Sequence, residues 1–194
     1  HYLRTKADAE TIVRDATRVL GTTIFKPSVI FGPRDSLTNR FAELLHLSRG
    51  VLPLARPNAR FAPVYVGDVA EAFLRALRDR STAGQTYELC GPDVMTLRQL
   101  VRMTADAARL PCHLIPLPNF IARLQALLMD FFPGKPFSTD NYKSLTIDSV
   151  CRENGFARFG ITPTPMAAIL ATYLGAESLQ ARLAAYRSAA PRTR

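Results

Sequence analysis

The strongest constraint on the fold lies in residues 1–33. Tyr2, Lys6, Ala9, Val13, Ala16 and Leu20 recur at helical spacing as one stripe, with Arg4, Glu10, Asp15 and Arg18 off it, which predicts a helix from Tyr2 to about Leu20. Gly21 is the residue type that ends helices. The β-prone run Thr22-Thr23-Ile24-Phe25-Lys26 follows at once. A helix that turns directly into a strand belongs to an α/β chain. The strand then enters Pro27-Ser28-Val29-Ile30-Phe31-Gly32-Pro33, where two prolines and a glycine force an extended loop. Open α/β sheets bind their ligands at this end of their strands.

The same helix begins with a chemical pair. Tyr2 and Lys6 are four apart, so their side chains leave one face about a turn apart. A phenol normally ionises near pH ~10, and a fixed positive charge beside it favours the phenolate, bringing it toward the range where proton transfer is useful. The chain has six tyrosines, and lysines at positions 6, 26, 135 and 143. A chance Tyr-x-x-x-Lys is therefore expected in about one such chain in eight, so the pair alone is weak evidence. The stripe puts both residues on the inward face. A lysine there, without an acidic neighbour on its stripe, needs a polar partner.

Further along, helices are predicted over about 37–47, 69–77 and 96–109, and strands at Phe61–Val66, Thr86–Cys90 and His113–Pro116. Asp68 with Glu71, and Thr96 with Gln99, have the spacing of capping boxes, which gives Asp68 a structural rather than catalytic reading. Phe120, Ile121, Leu124, Leu127, Leu128, Phe131 and Phe132 form an apolar helical stripe. It reads as a core helix, with a lid over an apolar substrate or a membrane-surface contact as the alternative. A helix over about 139–153, a loop at Gly155–Gly160 and a helix from Pro165 to about Tyr173 follow. The tail 176–194 is helical or disordered.

Composition narrows the function classes. With 47% hydrophobic and 21% charged residues, the chain has the balance of a folded domain. The net charge of +9 raises the question of nucleic acid, but the arginines are scattered without interleaved aromatic platforms, so no nucleic acid is expected. Cys90, Cys112 and Cys151, like His1, His46 and His113, are dispersed, which argues against a metal site or a disulfide framework. No apolar run approaches the ~20 residues needed to span a bilayer. The default location is cytoplasmic. The chain opens at His1 without a methionine and is read as a portion of something longer.

Three motifs in order carry a resemblance: Tyr2-x-x-x-Lys6 on a helix, Lys26-Pro27-Ser28-Val29-Ile30-Phe31-Gly32-Pro33 after a strand, and Val64-Tyr65-Val66-Gly67-Asp68-Val69-Ala70. The series resembles the later part of the extended and atypical short-chain dehydrogenase/reductases, the NAD-dependent epimerase/dehydratase group. Within it the look is that of the atypical branch containing the NAD(P)H-binding accessory subunits of respiratory complex I and their bacterial relatives. Lys26 and Phe31 stand where arginine and tyrosine are commoner, and Arg60-Phe61-Ala62 replaces the Arg-Asp-aromatic element of sugar-nucleotide epimerases, which speaks against that substrate class.

The resemblance implies an α/β fold, the C-terminal part of a Rossmann-type doubly wound sheet plus a small, mostly helical substrate lobe. Residues 1–35 and 60–92 would be the dinucleotide-binding remnant, 36–59 and 93–175 the lobe. It implies NAD or NADP as cofactor, Tyr2 and Lys6 as catalytic and cofactor-binding residues, and Pro27, Ser28, Val29 and Ile30 at the nicotinamide. The Gly-rich phosphate-binding turn of the family precedes these motifs and is absent from this chain, so the fragment by itself is expected to be inactive. Expected partners are a small-molecule substrate, a respiratory complex or membrane periphery, and a second copy in a homodimer. The alternative is a dinucleotide-binding structural or assembly subunit with little turnover.

Overall fold

The computed structural model describes residues 2–129 and 139–175. The end of the apolar stripe from residue 130 and the tail 176–194 lie outside the described residues. The chain runs α1 (Tyr2–Leu20), β1 (Ile24–Pro27), β2 (Ile30–Phe31), α2 (Thr38–Leu47), β3 (Val51–Ala55), β4 (Arg60–Phe61), β5 (Val64–Tyr65) and α3 (Val66–Arg78). It continues with β6 (Thr86–Leu89), β7 (Met95–Thr96), α4 (Leu97–Ala108), β8 (His113–Leu117), α5 (Asn119–Met129), α6 (Thr139–Ser144) and α7 (Met166–Leu174). Short 3-10 turns occupy Arg80–Thr82 and Gly155–Phe159, the latter where a loop was expected.

Strand β1 pairs in parallel with β6, Ile24 opposite Thr86 through Pro27 opposite Leu89. Three residues later the same run pairs in parallel with β5, Ile30 opposite Val64. The chain therefore changes neighbours between Pro27 and Ile30, in the loop that sequence marked. Strand β3 pairs in parallel with β8, and β4 antiparallel with β7. Sequence did not reveal β3, because Pro53 stands in its middle and lacks the N–H that a central strand would donate.

Among the described residues, three of the four apolar clusters hold these pieces. Val64, Val69, Ala72, Leu89, Phe156 and Phe159 join α3 to the β1–β6 pair. Phe31, Leu100, Met166 and Leu170 fasten α7 beneath α4. Leu45, Leu52, Leu54, Phe61, Leu97 and Val101 join α2, β3 and α4. Helix α4 has the expected capping box: the Thr96 hydroxyl accepts from the Gln99 N–H while the Gln99 side chain accepts from the Thr96 N–H.

Four expectations are corrected. The predicted inward stripe of α1 is largely open among its described side chains: Lys6, Ala9 and Val13 are exposed, Leu20 is 71% exposed, and Ala16 is half-buried. The described side chains tie α1 down through polar contacts instead. Asp68 is not an N-cap, because α3 begins two residues earlier at Val66, straight off β5. Its carboxylate accepts the Thr164 N–H at 2.7 Å and the Thr164 hydroxyl at 3.0 Å, fixing the approach to α7. Helix α6 stops at Ser144 rather than near 153: the following residues bring Ser149 into a bridge with Phe61. Cys90 and Cys151, 61 apart in sequence, form a disulfide, so spacing misled there as well.

Candidate active site

Two polar contacts set the height of α1 against the sheet. Arg14 reaches the Thr86 hydroxyl at 3.3 Å, beside Ile24 in the β1–β6 register. One turn earlier, Glu10 meets the Lys26 ammonium at 2.7 Å and Arg14 at 2.8 Å. These neighbours hold the Glu10 carboxyl below its ordinary range, the hydrogen bond from Lys26 first and that from Arg14 second. The helix thus runs antiparallel to β1. Four residues of helix rise about 6 Å and two of strand about 6.6 Å, so each step of four in α1 matches two in the strand. The same spacing, if carried on past the end of β1, would next bring Lys6 level with Ser28 and the start of α1 level with Ile30. The Tyr2 side chain lies outside the described set. Lys6 is exposed.

The loop facing that height is firmly built. Ser28 is buried and donates its N–H to the Leu89 carbonyl at 2.9 Å. Its hydroxyl donates to the Ser149 carbonyl at 2.6 Å and lies 3.0 Å from the Ser149 hydroxyl. The Val29 carbonyl accepts from the Val64 N–H. Segment 149–151 is fixed in turn: the Ser149 carbonyl accepts from the Ala62 N–H, the Ser149 N–H donates to the Arg60 carbonyl, and Cys151 is bonded to Cys90. Gly91 completes the junction, since a Cβ there would run into the Pro63 carbonyl.

Ser28 and the Val29 carbonyl are therefore committed to the scaffold. Pro27 and Ile30 are exposed, Ile30 by 39%, and Val29 packs inward against the α2–β3–α4 cluster. The expected pair Val29 and Ile30 point to different surroundings, with Ile30 the one open to the outside. Sequence also missed Asp35. It accepts the Gly32, Leu37 and Thr38 N–H groups at 3.0, 2.8 and 2.6 Å, so it closes the loop and caps α2. The Tyr173 hydroxyl donates to it at 3.1 Å. Burial pushes that hydroxyl far above the ordinary tyrosine range, with the Asp35 charge adding to the effect, so it stays protonated. An aspartate just ahead of a helix was the available signal.

The residue types present fit the nicotinamide end of a dinucleotide: Pro27 and Ile30 offer exposed apolar surface at the strand edge, and Lys6 is exposed on α1. They do not supply the pyrophosphate cradle, for among the described residues no Gly-rich turn joins a strand to a helix. Among the described residues there is no cluster of His, Cys, Asp or Glu that could hold a metal ion.

Residues 1–93 match the model of the 3-beta hydroxysteroid dehydrogenase/isomerase family. The fold is similar to that of dTDP-glucose 4,6-dehydratase from Bacillus anthracis, solved in complex with NAD, with TM-score 0.59 at 14% identity, over 89% of this chain and 50% of that one. These matches agree with the resemblance to the extended and atypical short-chain dehydrogenase/reductases, the NAD-dependent epimerase/dehydratase group, and the α/β fold is the C-terminal part of a Rossmann-type fold with a small, mostly helical lobe.

Within that group it is similar to a particular protein, the mitochondrial NADH dehydrogenase [ubiquinone] 1 alpha subcomplex subunit 9. It is 36% identical to the Arabidopsis thaliana subunit over 163 residues, covering 78% of this chain and 40% of that protein. To the Mus musculus subunit it is 30% identical over 168 residues, covering 84% of this chain and 44% of that protein. The chain thus spans less than half the length of these relatives.

Proposed function

We propose that this chain contributes the Tyr-Lys half and the nicotinamide loop of an NAD(P)-dependent oxidoreductase or epimerase. The observation that carries the reading is the Glu10–Lys26 contact, which supports bringing the head of α1 to the height of Pro27–Ile30. In this reading NAD or NADP supplies the hydride acceptor or donor. Tyr2 exchanges a proton with the substrate oxygen. Lys6 favours the Tyr2 phenolate through its charge and hydrogen-bonds the cofactor ribose. Pro27 and Ile30 form the apolar bed of the ring, while Ser28 and Val29 keep the loop in shape. Residues 36–59 and 93–175 form the substrate lobe. A positioned acid/base of this type contributes about 10²–10⁴-fold, with cofactor and orientation supplying the remainder.

A second reading is favoured by the similarity to the complex I subunits: a dinucleotide-binding structural subunit held at a respiratory complex, on the cytoplasmic or membrane-peripheral side. No helix among the described residues is long and apolar enough to cross a membrane. Helix α5 does expose Phe120, Leu124 and Leu127, by 72%, 55% and 55%, which suits contact with a neighbour or a membrane surface.

One experiment separates the two. In the natural protein that carries this chain, Tyr2→Phe should remove turnover at least about 100-fold while dinucleotide affinity stays within about twofold, measured by steady-state kinetics and cofactor titration. Turnover that survives Tyr2→Phe refutes the catalytic reading. An absence of turnover in both forms, with the protein held in a respiratory complex, supports the structural one.

A further inference from the structure

The cavity behind the nicotinamide loop, about 630 Å³ and lined by Val29, Phe41 and Leu54, is mostly apolar and lies between that loop and the proposed substrate lobe. A smaller cavity, about 260 Å³, lies at the turn after β3, where Arg56, Pro57, Asn58 and Ala59 line it together with Leu117 and Asn119. Its size suits a head group rather than a whole cofactor.

The groups gathered around the smaller cavity are donors. The Arg56 and Arg123 guanidinium carbons stand 5.9 and 5.8 Å from the centre of the Tyr142 ring. Arg56 donates its Nε–H to the Leu145 carbonyl at 3.1 Å, a neutral partner, and no carboxylate among the described residues pairs with either guanidinium. Two positive charges thus meet at one phenol without a counter-charge, and their repulsion is relieved when an anion joins them. Tyr142 is 4% exposed, and its hydroxyl has no hydrogen-bond partner among the described residues. Guanidinium groups only donate, so the proton of that hydroxyl needs an acceptor from elsewhere. Burial by itself would raise the Tyr142 hydroxyl, yet Arg56 and Arg123 hold it below its ordinary range, the mark of a positive potential at that oxygen. Nε of Arg98 is likewise buried without a partner among the described residues, and Arg98 donates its N–H to the Pro57 carbonyl of the same turn. Helix α5 adds the same sign: it begins at Asn119 in the cavity wall, has no acidic residue in its first turn, and carries Arg123 one turn beyond Asn119.

We propose that this cavity is a binding site for a phosphate monoester, held by Arg56 and Arg123 with the Tyr142 hydroxyl and the start of α5. A dianion matches two guanidiniums in charge, offers each a pair of oxygens, and keeps lone pairs for the phenol proton; a carboxylate has too few oxygens for all three. The site is separate from Tyr2, Lys6 and loop 27–30, and binding there requires no dinucleotide. Because α5 exposes Phe120 and Leu124 beside these residues, the same head group arrives either on a soluble ester or on a lipid, and the test separates the two sources.

The test is calorimetric titration of the natural protein that carries this chain with glycerol 3-phosphate at constant ionic strength, with amide NMR to locate the contacts. Vesicles of phosphatidylcholine carrying about 20% phosphatidate are tested in parallel by flotation. Glycerol 3-phosphate should bind one-to-one with Kd on the order of 0.1–1 mM and shift the amides of Asn58 and Asn119. Arg123→Gln, at an exposed position that leaves the core alone, should weaken it at least about tenfold, and Tyr142→Phe about fivefold, while circular dichroism stays unchanged. Arg78→Gln, exposed on α3 and outside the cavity wall, should leave the affinity within about twofold. Flotation of phosphatidate vesicles that Arg123→Gln abolishes assigns the head group to a lipid, and binding of glycerol 3-phosphate without flotation assigns it to a soluble ester. The proposal is overturned if glycerol 3-phosphate does not saturate and the vesicles do not carry the protein, or if Arg78→Gln weakens binding as much as Arg123→Gln, since binding then follows only from the net charge of +9. Unaltered binding in folded Arg123→Gln or folded Tyr142→Phe overturns it as well.

Discussion

The two parts of the proposed site are held by opposite means. Loop 27–30 is fixed from several sides: Ser28 and Val29 use backbone and side-chain hydrogen bonds to Leu89, Ser149 and Val64, and the Cys90–Cys151 disulfide secures the segment bearing Ser149. Helix α1 has an equally clear amphipathic sequence, yet Ile12 is 69% exposed and Leu20 71%. Its described contacts to the sheet run through Glu10 and Arg14. An apolar stripe says that a face favours cover and leaves open what provides it. The loop's geometry is thus a property of this chain. The described ties of α1 to the sheet include part-exposed ion pairs, which are worth little in water.

The largest effect should come from the loop side. Cys151→Ser opens a closure between residues 61 apart, which should cost about 3 kcal/mol in urea unfolding, since long closures restrict the unfolded chain most. On the helix side, Ile12→Ala should change stability by less than about 0.5 kcal/mol, as expected for an exposed residue without a special role. Similar losses from the two would mean that α1 is covered and the contrast false.

Next comes Ser28→Ala. It removes the Ser28 hydroxyl from the Ser149 hydroxyl in a part-buried place and leaves the Ser149 carbonyl with the Ala62 N–H alone, at a cost of about 1–2 kcal/mol in the same measurement. A value near zero would show that the loop keeps its shape without this hydrogen bond.

Legibility in the sequence follows the same division. Helices α2 and α4 and strands β1 and β6 were readable because periodicity, caps and turn residues are local signals. The capping box at Thr96–Gln99 was read correctly and that at Asp68–Glu71 was not, although the spacing is identical. What differs is tertiary: β5 runs into α3 without a gap, and Asp68 finds Thr164, 96 residues away. The disulfide and the Ser28–Ser149 bond join residues 61 and 121 apart, distances at which spacing carries no information. The helix expected over 139–153 ends at Ser144 because Ser149 and Cys151 are claimed by Phe61 and Cys90. Of the site, residue types and order were legible. That Ser28 serves the scaffold, and that Val29 faces a cavity, required the fold.

The smallest effect bears on α1 directly. The Lys26 and Arg14 cations hold Glu10 below its ordinary value of 4.5, so folding favours the ionised carboxylate. A depressed carboxylate contributes stability that is fully present above the unfolded value and is lost as pH falls through the lower folded value. Glu10 is part-exposed, so screening limits the contribution to about 0.5 kcal/mol. Glu10→Gln should therefore lower stability by about that amount at pH 7 and have no effect once the carboxylate is protonated in both states. The difference should also shrink at 1 M salt, where the Debye length is about 3 Å. Hydrogen exchange is the sharper readout: amides of α1 should exchange faster in the variant while those at Ser28 and Val64 keep their rates. Faster exchange at both places would mean that the ion pair supports the loop as well, and the division between a fixed loop and a lightly held helix would fail.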